Sequence, residues 1–206
     1  RNHYFCSKFH LKTPNTFTIF IKTSMTLIPS TPIRLYDYSF IPYGSRTRGT
    51  SIKNSDLDIL FICKKEMFQK GYAYLLEYIH TQRIQSMLHA YFERKFKMKI
   101  QFDITPCSLY DSIDTPLGQF NRYQIYYPQS TQTFLTVPEY VNQYIILINN
   151  QYKGIFSKTI KLIKYILHYI LHNSCPSVYI ENKLIMFLHL FKKKDEAFYF
   201  YQKILL

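Results

Sequence analysis

The sequence predicts an α+β fold, with a strand-bearing front half followed by an all-helical back half. Three observations carry this. "DLDILFIC" (56–63) is a β-branched and aromatic run bounded by the polar "KNS" and "KK", which reads as a strand. "KIQFDIT" (99–105) alternates strictly: Ile100, Phe102 and Ile104 face one way, Gln101 and Asp103 the other. From Glu139 onward the apolar residues recur at helical spacing. With 206 residues, 47% of them apolar, the chain is long enough to bury a core and too apolar to be disordered.

In order along the chain, "LIPSTPIRLYDY" is turn-rich, and "FIPYGS" leads into a tight turn at Gly44. After the first strand, "MFQKGYAYLLEYIHTQRIQSMLHAYFERKF" is helical, with a break expected at Gly71. Pro106 is expected to end the second strand, and residues 108–138, with Pro116, Pro128 and Pro138, to be irregular. "FSKTIKLIKYILHYILHNS" follows with Ser157 as N-cap and an apolar stripe at Ile160, Ile163, Leu167 and Ile170. "SVYIENKLIMFLHLFKKK" is a second helix of this half, and "KKKDE" (192–196) reads as a solvated face.

The formal charge is +13, from 26 Lys and Arg against 13 Asp and Glu, which favours a polyanionic partner. AT-rich coding also enriches Lys, Tyr and Phe, so part of this basicity reflects composition alone. Cys6, Cys63, Cys107 and Cys175 lie far apart with no C-x-x-C pair, which argues against a zinc ribbon or a disulfide framework and for a reducing compartment. The expected location is cytoplasmic or nuclear; the acid-free first 36 residues also suit a mitochondrial presequence. The apolar runs 160–171 and 184–191 are too short or too charged to span a bilayer, so no stable membrane association is expected. His168 and His172, at i and i+4 with Cys175 beyond, form at most half a zinc site.

Asp56 and Asp58 raise the sharper question. Two residues apart on a strand, they project from the same face with Cα atoms roughly 7 Å apart. Unpaired carboxylates that close raise each other's pKa and call for a cation, and a hard divalent ion takes carboxylate and phosphate oxygens together. Asp103 supplies a third carboxylate on a second strand. Three such groups on neighbouring strands suit a pair of metal ions about 4 Å apart, which activates an attacking hydroxyl and stabilises a leaving pyrophosphate. Gly44 lets backbone approach a triphosphate and Ser45 offers N–H and O–H, while Arg46, Arg48 and Lys53 add positive charge.

"GSRTRGTSIKNSDLDIL" (44–60) resembles the signature of the polymerase-β-type nucleotidyltransferase superfamily, and "FDIT" its third aspartate. The resemblance implies a palm, a mixed sheet with packed helices, over residues 25–125, and a partial helical lobe over 126–206 that includes 1–24. It implies an enzyme using two Mg²⁺ or Mn²⁺ ions and an NTP. Asp56, Asp58 and Asp103 become metal ligands, Asp103 also the base for the acceptor hydroxyl, and Gly44 and Ser45 the triphosphate loop. Lys164 (or Lys161) would contact triphosphate, and Ser177 and Tyr179 phosphate and base.

Two branches of the superfamily compete. The ungapped spacing from Gly-Ser to "SDLD" resembles terminal RNA nucleotidyltransferases such as noncanonical poly(A) polymerases, whose acceptor is an RNA 3′ end, and this is the favoured expectation. "RGTSI", "FDITPC" and the long insert resemble cyclic-oligonucleotide synthases, oligoadenylate synthase relatives and CCA-adding enzymes. A non-catalytic palm binding RNA or protein is the third expectation. Complete enzymes of these kinds continue beyond the second helix, so the chain is expected to be a fragment or truncated copy.

Overall fold

The computed structural model describes residues 32–52, 55–97, 99–127, 130–173, 175–190 and 196–205. Lys53, Cys6, residues 1–31 of the presequence-like region and residues 192–195 lie outside them. A six-stranded sheet runs in chain order: β1 (Ile33–Leu35), β2 (Tyr38–Tyr43), β3 (Leu57–Cys63), β4 (Phe102–Thr115), β5 (Gly118–Tyr126) and β6 (Thr133–Thr136). β3 and β4 pair in parallel, and each other neighbouring pair is antiparallel. The sheet therefore continues to Thr136, past the boundary expected at residue 125.

A parallel pair needs a crossover, and α2 (Lys65–Phe68), α3 (Tyr72–Thr81) and α4 (Ile84–Phe96) supply it. They bury Phe68, Leu75, Ile79, Ile84, Leu88 and Phe92 against Phe40, Leu57, Ile59 and Phe61. On the opposite face, Leu60 packs with Ile41, Cys107, Tyr123 and Ile125. β3 is covered on both sides, which is why it reads as a continuous apolar run rather than an alternation. Gly71, at φ +96, makes the expected helix break; a second falls at Arg83, also left-handed.

The region 108–138 is not irregular. β4 continues through Pro106 to Thr115 and turns back into β5. Pro106 is tolerated because it sits where β4 pairs on one side alone: the β4–β5 ladder begins one residue later, at Cys107. Pro116 falls in the hairpin turn, closed by the Thr115 hydroxyl donating to the Gly118 carbonyl (2.7 Å), and Pro138 opens a helix.

The back half holds α5 (Pro138–Gln151), α6 (Ile155–Tyr165), a π-helical turn (Ile166–Ile170), α7 (Ser177–Leu190) and α8 (Glu196–Leu205). Tyr140, Tyr144, Ile145, Phe156, Ile160, Ile185, Phe198 and Tyr201 form its core. The N-cap of α6 is Gly154 rather than Ser157: Gly154 takes φ +80, and the Ser157 N–H is satisfied by the Asn149 side chain (3.0 Å). His168 and His172 do not share a helix face either, because the helix ends in the π-helical turn and His172 is left-handed. Among the described residues, no helix is long and apolar enough to cross a membrane.

Phe92 is fully buried, with its ring 5.2 Å from those of both Phe96 and Phe102. Phe92→Ala is expected to cost about 3–5 kcal/mol, read as a lower denaturation midpoint at unchanged m-value.

Candidate active site

The register of the parallel pair sets Asp58 opposite Asp103, and the antiparallel pair on the other side sets Tyr43 opposite Asp58. Asp58 is half-buried; Asp103 and Asp56, which stands just before β3, are exposed. Burial, then the charge of Asp103, push the Asp58 carboxyl up to about 6, with Asp56 adding to the rise and Arg48 opposing it. Two carboxylates on adjacent strands with a third nearby make an anionic edge short of positive charge.

The chain closes over this edge in one turn, α1 (Gly44–Thr47). Gly44 has φ +78, and a Cβ there would lie 1.7 Å from Asp58 Oδ2. No other residue brings backbone so close to that carboxylate. The turn is held by Arg48 N–H to the Gly44 carbonyl (3.2 Å), Thr50 N–H to the Ser45 carbonyl (2.9 Å) and the Thr47 hydroxyl to the Tyr43 carbonyl (2.9 Å). Arg46 Nε donates to the Ser55 carbonyl at 2.5 Å, tying the turn to the segment that carries Asp56. Burial lowers the Arg46 pKa and Asp56 opposes the drop. The Tyr43 hydroxyl, raised in pKa chiefly by burial, meets that of Thr105 at 3.2 Å.

Beneath the turn lies a charged network joining the two halves of the chain. Lys164 is 6% exposed and donates to the Thr50 carbonyl (2.8 Å), with Glu181 at 4.0 Å. Arg48 meets Glu181 at 2.8 Å, and the Thr50 hydroxyl donates to the same carboxylate. Asn142 joins the network, accepting from Arg48 and donating to the Pro42 carbonyl, each at 3.4 Å. Burial first, then Arg48, bring the Lys164 pKa down to about 8, against the raising effect of Glu181 and Asp58.

The structure thus brings Asp58, Asp103 and Gly44 together, with Ser45 buried in the turn and Lys164 beneath it. Lys161 is half-buried beside it on α6. Ser177 opens α7, and Tyr179 is 54% exposed with Lys183 5.3 Å over its ring. Among the described residues, no three or more His, Cys, Asp or Glu side chains converge as a ready metal cage. The raised Asp58 carboxyl and an oxygen-only donor set nonetheless fit a hard divalent cation. An open groove of about 860 Å³, lined in part by Leu76, Ile79, Phe102 and Ile104, opens on the face of β4 away from Asp103 and holds none of the carboxylates. Glu181, Thr50 and Asn142 were invisible to motif reasoning; the one available signal is that Glu181 is the single acid in "SVYIENKLIMFLHL".

Two outcomes follow from this geometry. Gly44→Ala is expected to destabilise the chain by about 1 kcal/mol or more, measured by denaturation, since both φ and the contact with Asp58 forbid a Cβ. Asp58 is protonated in both folded and unfolded chains below about pH 3; its folded pKa near 6 exceeds the ordinary 3.8, so its contribution to stability is lost as pH rises from 3.8 through 6. Asp58→Asn should therefore stabilise the chain on the order of 1–3 kcal/mol at pH 7.5, a gain that vanishes below about pH 3 in a melting series.

Residues 31–106 match the family model of the nucleotidyltransferase domain. Escherichia coli MS115-1 CdnC, solved with ATP, is 16% identical with a TM-score of 0.56, over 89% of this chain and 57% of that one. CdnC from the same organism, in complex with HORMA-deltaN, is 18% identical with a TM-score of 0.52, over 76% and 50%. The CdnE cyclic dinucleotide synthase of Elizabethkingia meningoseptica, solved with GTP and Apcpp, is 14% identical with a TM-score of 0.44, over 81% and 64%. This chain therefore spans between 50% and 64% of the length of these proteins. No curated protein matches the sequence. The Gly-Ser turn and the paired Asp58 and Asp103 both fall within residues 31–106, the part of the chain that is similar to the nucleotidyltransferase domain.

Proposed function

We propose that this chain moves a nucleoside monophosphate from an NTP to a hydroxyl group, with Asp56, Asp58 and Asp103 as ligands of Mg²⁺ or Mn²⁺. The observation that carries the reading is the pairing of Asp58 with Asp103 beneath Gly44. When bound, such ions activate the attacking hydroxyl and neutralise the leaving pyrophosphate. Gly44 and Ser45 present backbone to the triphosphate. Asp103, the more exposed of the paired carboxylates, is placed to take the hydroxyl proton. Lys164 sets the field under the triphosphate from below the turn, and Ser177 and Tyr179 at the start of α7 offer a hydroxyl and a ring to the nucleotide.

The acceptor we favour is the hydroxyl of a second nucleotide, giving a cyclic or short oligonucleotide. Its support is the resemblance of "RGTSI" and "FDITPC" to cyclic-oligonucleotide synthases, together with the fold likeness to CdnC, whose structure carries ATP. An RNA 3′ end is the second reading, favoured by the +13 charge, which suits a phosphate backbone, and by the ungapped Gly-Ser to "SDLD" spacing.

The test incubates the chain with Mg²⁺ or Mn²⁺ and labelled NTPs, with and without an RNA oligonucleotide. A small product independent of RNA is the expected result, and an extended RNA ladder moves the acceptor to RNA. Asp58→Asn should abolish either product while the fold is retained. Undiminished transfer by that variant, or no product under any condition with RNA binding kept, removes the reading.

A further inference from the structure

We infer that Glu181 is a positioning residue: reaching from α7 to Arg48, Thr50 and Lys164, it fixes the turn at Gly44–Thr47 and thereby sets affinity for the nucleotide's phosphates. The inference rests on the function proposed above. Glu181 is fully buried. A carboxylate is expensive to remove from water, and its partners here show where that cost is offset. Arg48 meets it at 2.8 Å, the Thr50 hydroxyl donates to it, and Lys164 stands 4.0 Å away.

None of these partners is incidental to the turn. Arg48 N–H bonds the Gly44 carbonyl, Thr50 N–H bonds the Ser45 carbonyl, and Lys164 donates to the Thr50 carbonyl at 2.8 Å. Glu181 is therefore one residue away from both carbonyls of the Gly-Ser pair, through a hydrogen bond from Thr50 and an ion pair with Arg48. The short helix of that turn also packs on α7. Well-packed apolar side chains would fill such a space at no desolvation cost, so cohesion between the halves does not require a buried ion network. What the network adds is orientation. It holds two cations and a backbone segment in one geometry directly under the carboxylate pair.

Glu181→Gln keeps the shape and removes the charge, and Glu181→Asp keeps the charge and shortens the reach. The readouts are binding of non-hydrolysable ATP and GTP analogues with Mg²⁺ by calorimetry, and amide exchange at Arg48 and Thr50. KM and kcat follow wherever a product is made. The expected result is a cooperatively folding Glu181→Gln with analogue binding about tenfold weaker, both amides exchanging about tenfold faster, and KM raised more than kcat is lowered. Glu181→Asp should fall between this variant and the wild type, and it carries the comparison if Glu181→Gln does not fold. A folded variant with wild-type analogue affinity overturns the inference, even where exchange quickens, because the role is then only structural. A wild-type chain that binds neither analogue instead removes the proposed function, and the inference with it.

Discussion

The parallel pairing of β3 with β4 is the constraint on which the rest of the molecule depends. Strands joined by a tight turn run antiparallel; making these two parallel requires a crossover, and three helices between Lys65 and Phe96 provide it. Those helices need an apolar face to cover, which explains Leu57, Ile59, Phe61 and Cys63 on one side of β3. With that face committed, Asp58 points the other way at the open end of the strand. The parallel register then brings Asp103 alongside. β2 returns antiparallel on the far side, so the residue after Tyr43 must cross directly above Asp58. Glycine at position 44 is the consequence of that crossing.

This arrangement is a poor way to stabilise a protein. Asp58 loses solvent and gains like-charged neighbours, and the turn above it stands in a backbone conformation that side chains disfavour. Natural chains keep such unfavourable features where chemistry needs them, and a perturbed carboxylate beneath a close-approaching backbone belongs to that class. The fold supplies the missing stability elsewhere, through the aromatic clusters of the crossover helices and the tyrosine-rich core of the helical half.

The carboxylate edge was legible in the sequence because it depends on local rules. A period of two places Asp58 and Asp103 on strand faces, and the apolar strands around them exclude a loop. The β4–β5 hairpin was not legible, since its prolines mimic breakers. Their effect depends on which side of the strand is paired, and that is a tertiary fact. Tyr123 and Ile125 do alternate with Arg122 and Gln124, but tyrosine and glutamine make a weak contrast. The Arg48–Glu181–Lys164 network was hidden for a different reason. Arg48 lies more than 100 positions before both Lys164 and Glu181, and no local period links a turn to helices that distant. One trace existed: Lys164 sits four residues after the fully buried Ile160, on the stripe that faces the core.

The same network changes how the basic composition bears on the acceptor. Arg48 and Lys164, two of the cations nearest the carboxylates, are turned inward and matched to Glu181. Arg122 is likewise paired with Asp111. The formal charge of +13 already subtracts these acids and does not say where the excess lies; at this site Arg48 and Lys164 face Glu181 rather than an incoming polyanion. Under the proposed function the carboxylates would act alike on any hydroxyl, so discrimination would come from groups that face the incoming nucleotides. The exposed start of α7, with Ser177 and the Tyr179 ring, has that character, and Glu181 on its buried side joins the same helix to the Gly-Ser turn. A single helix thus links the proposed contact with the base to the proposed contact with the phosphates.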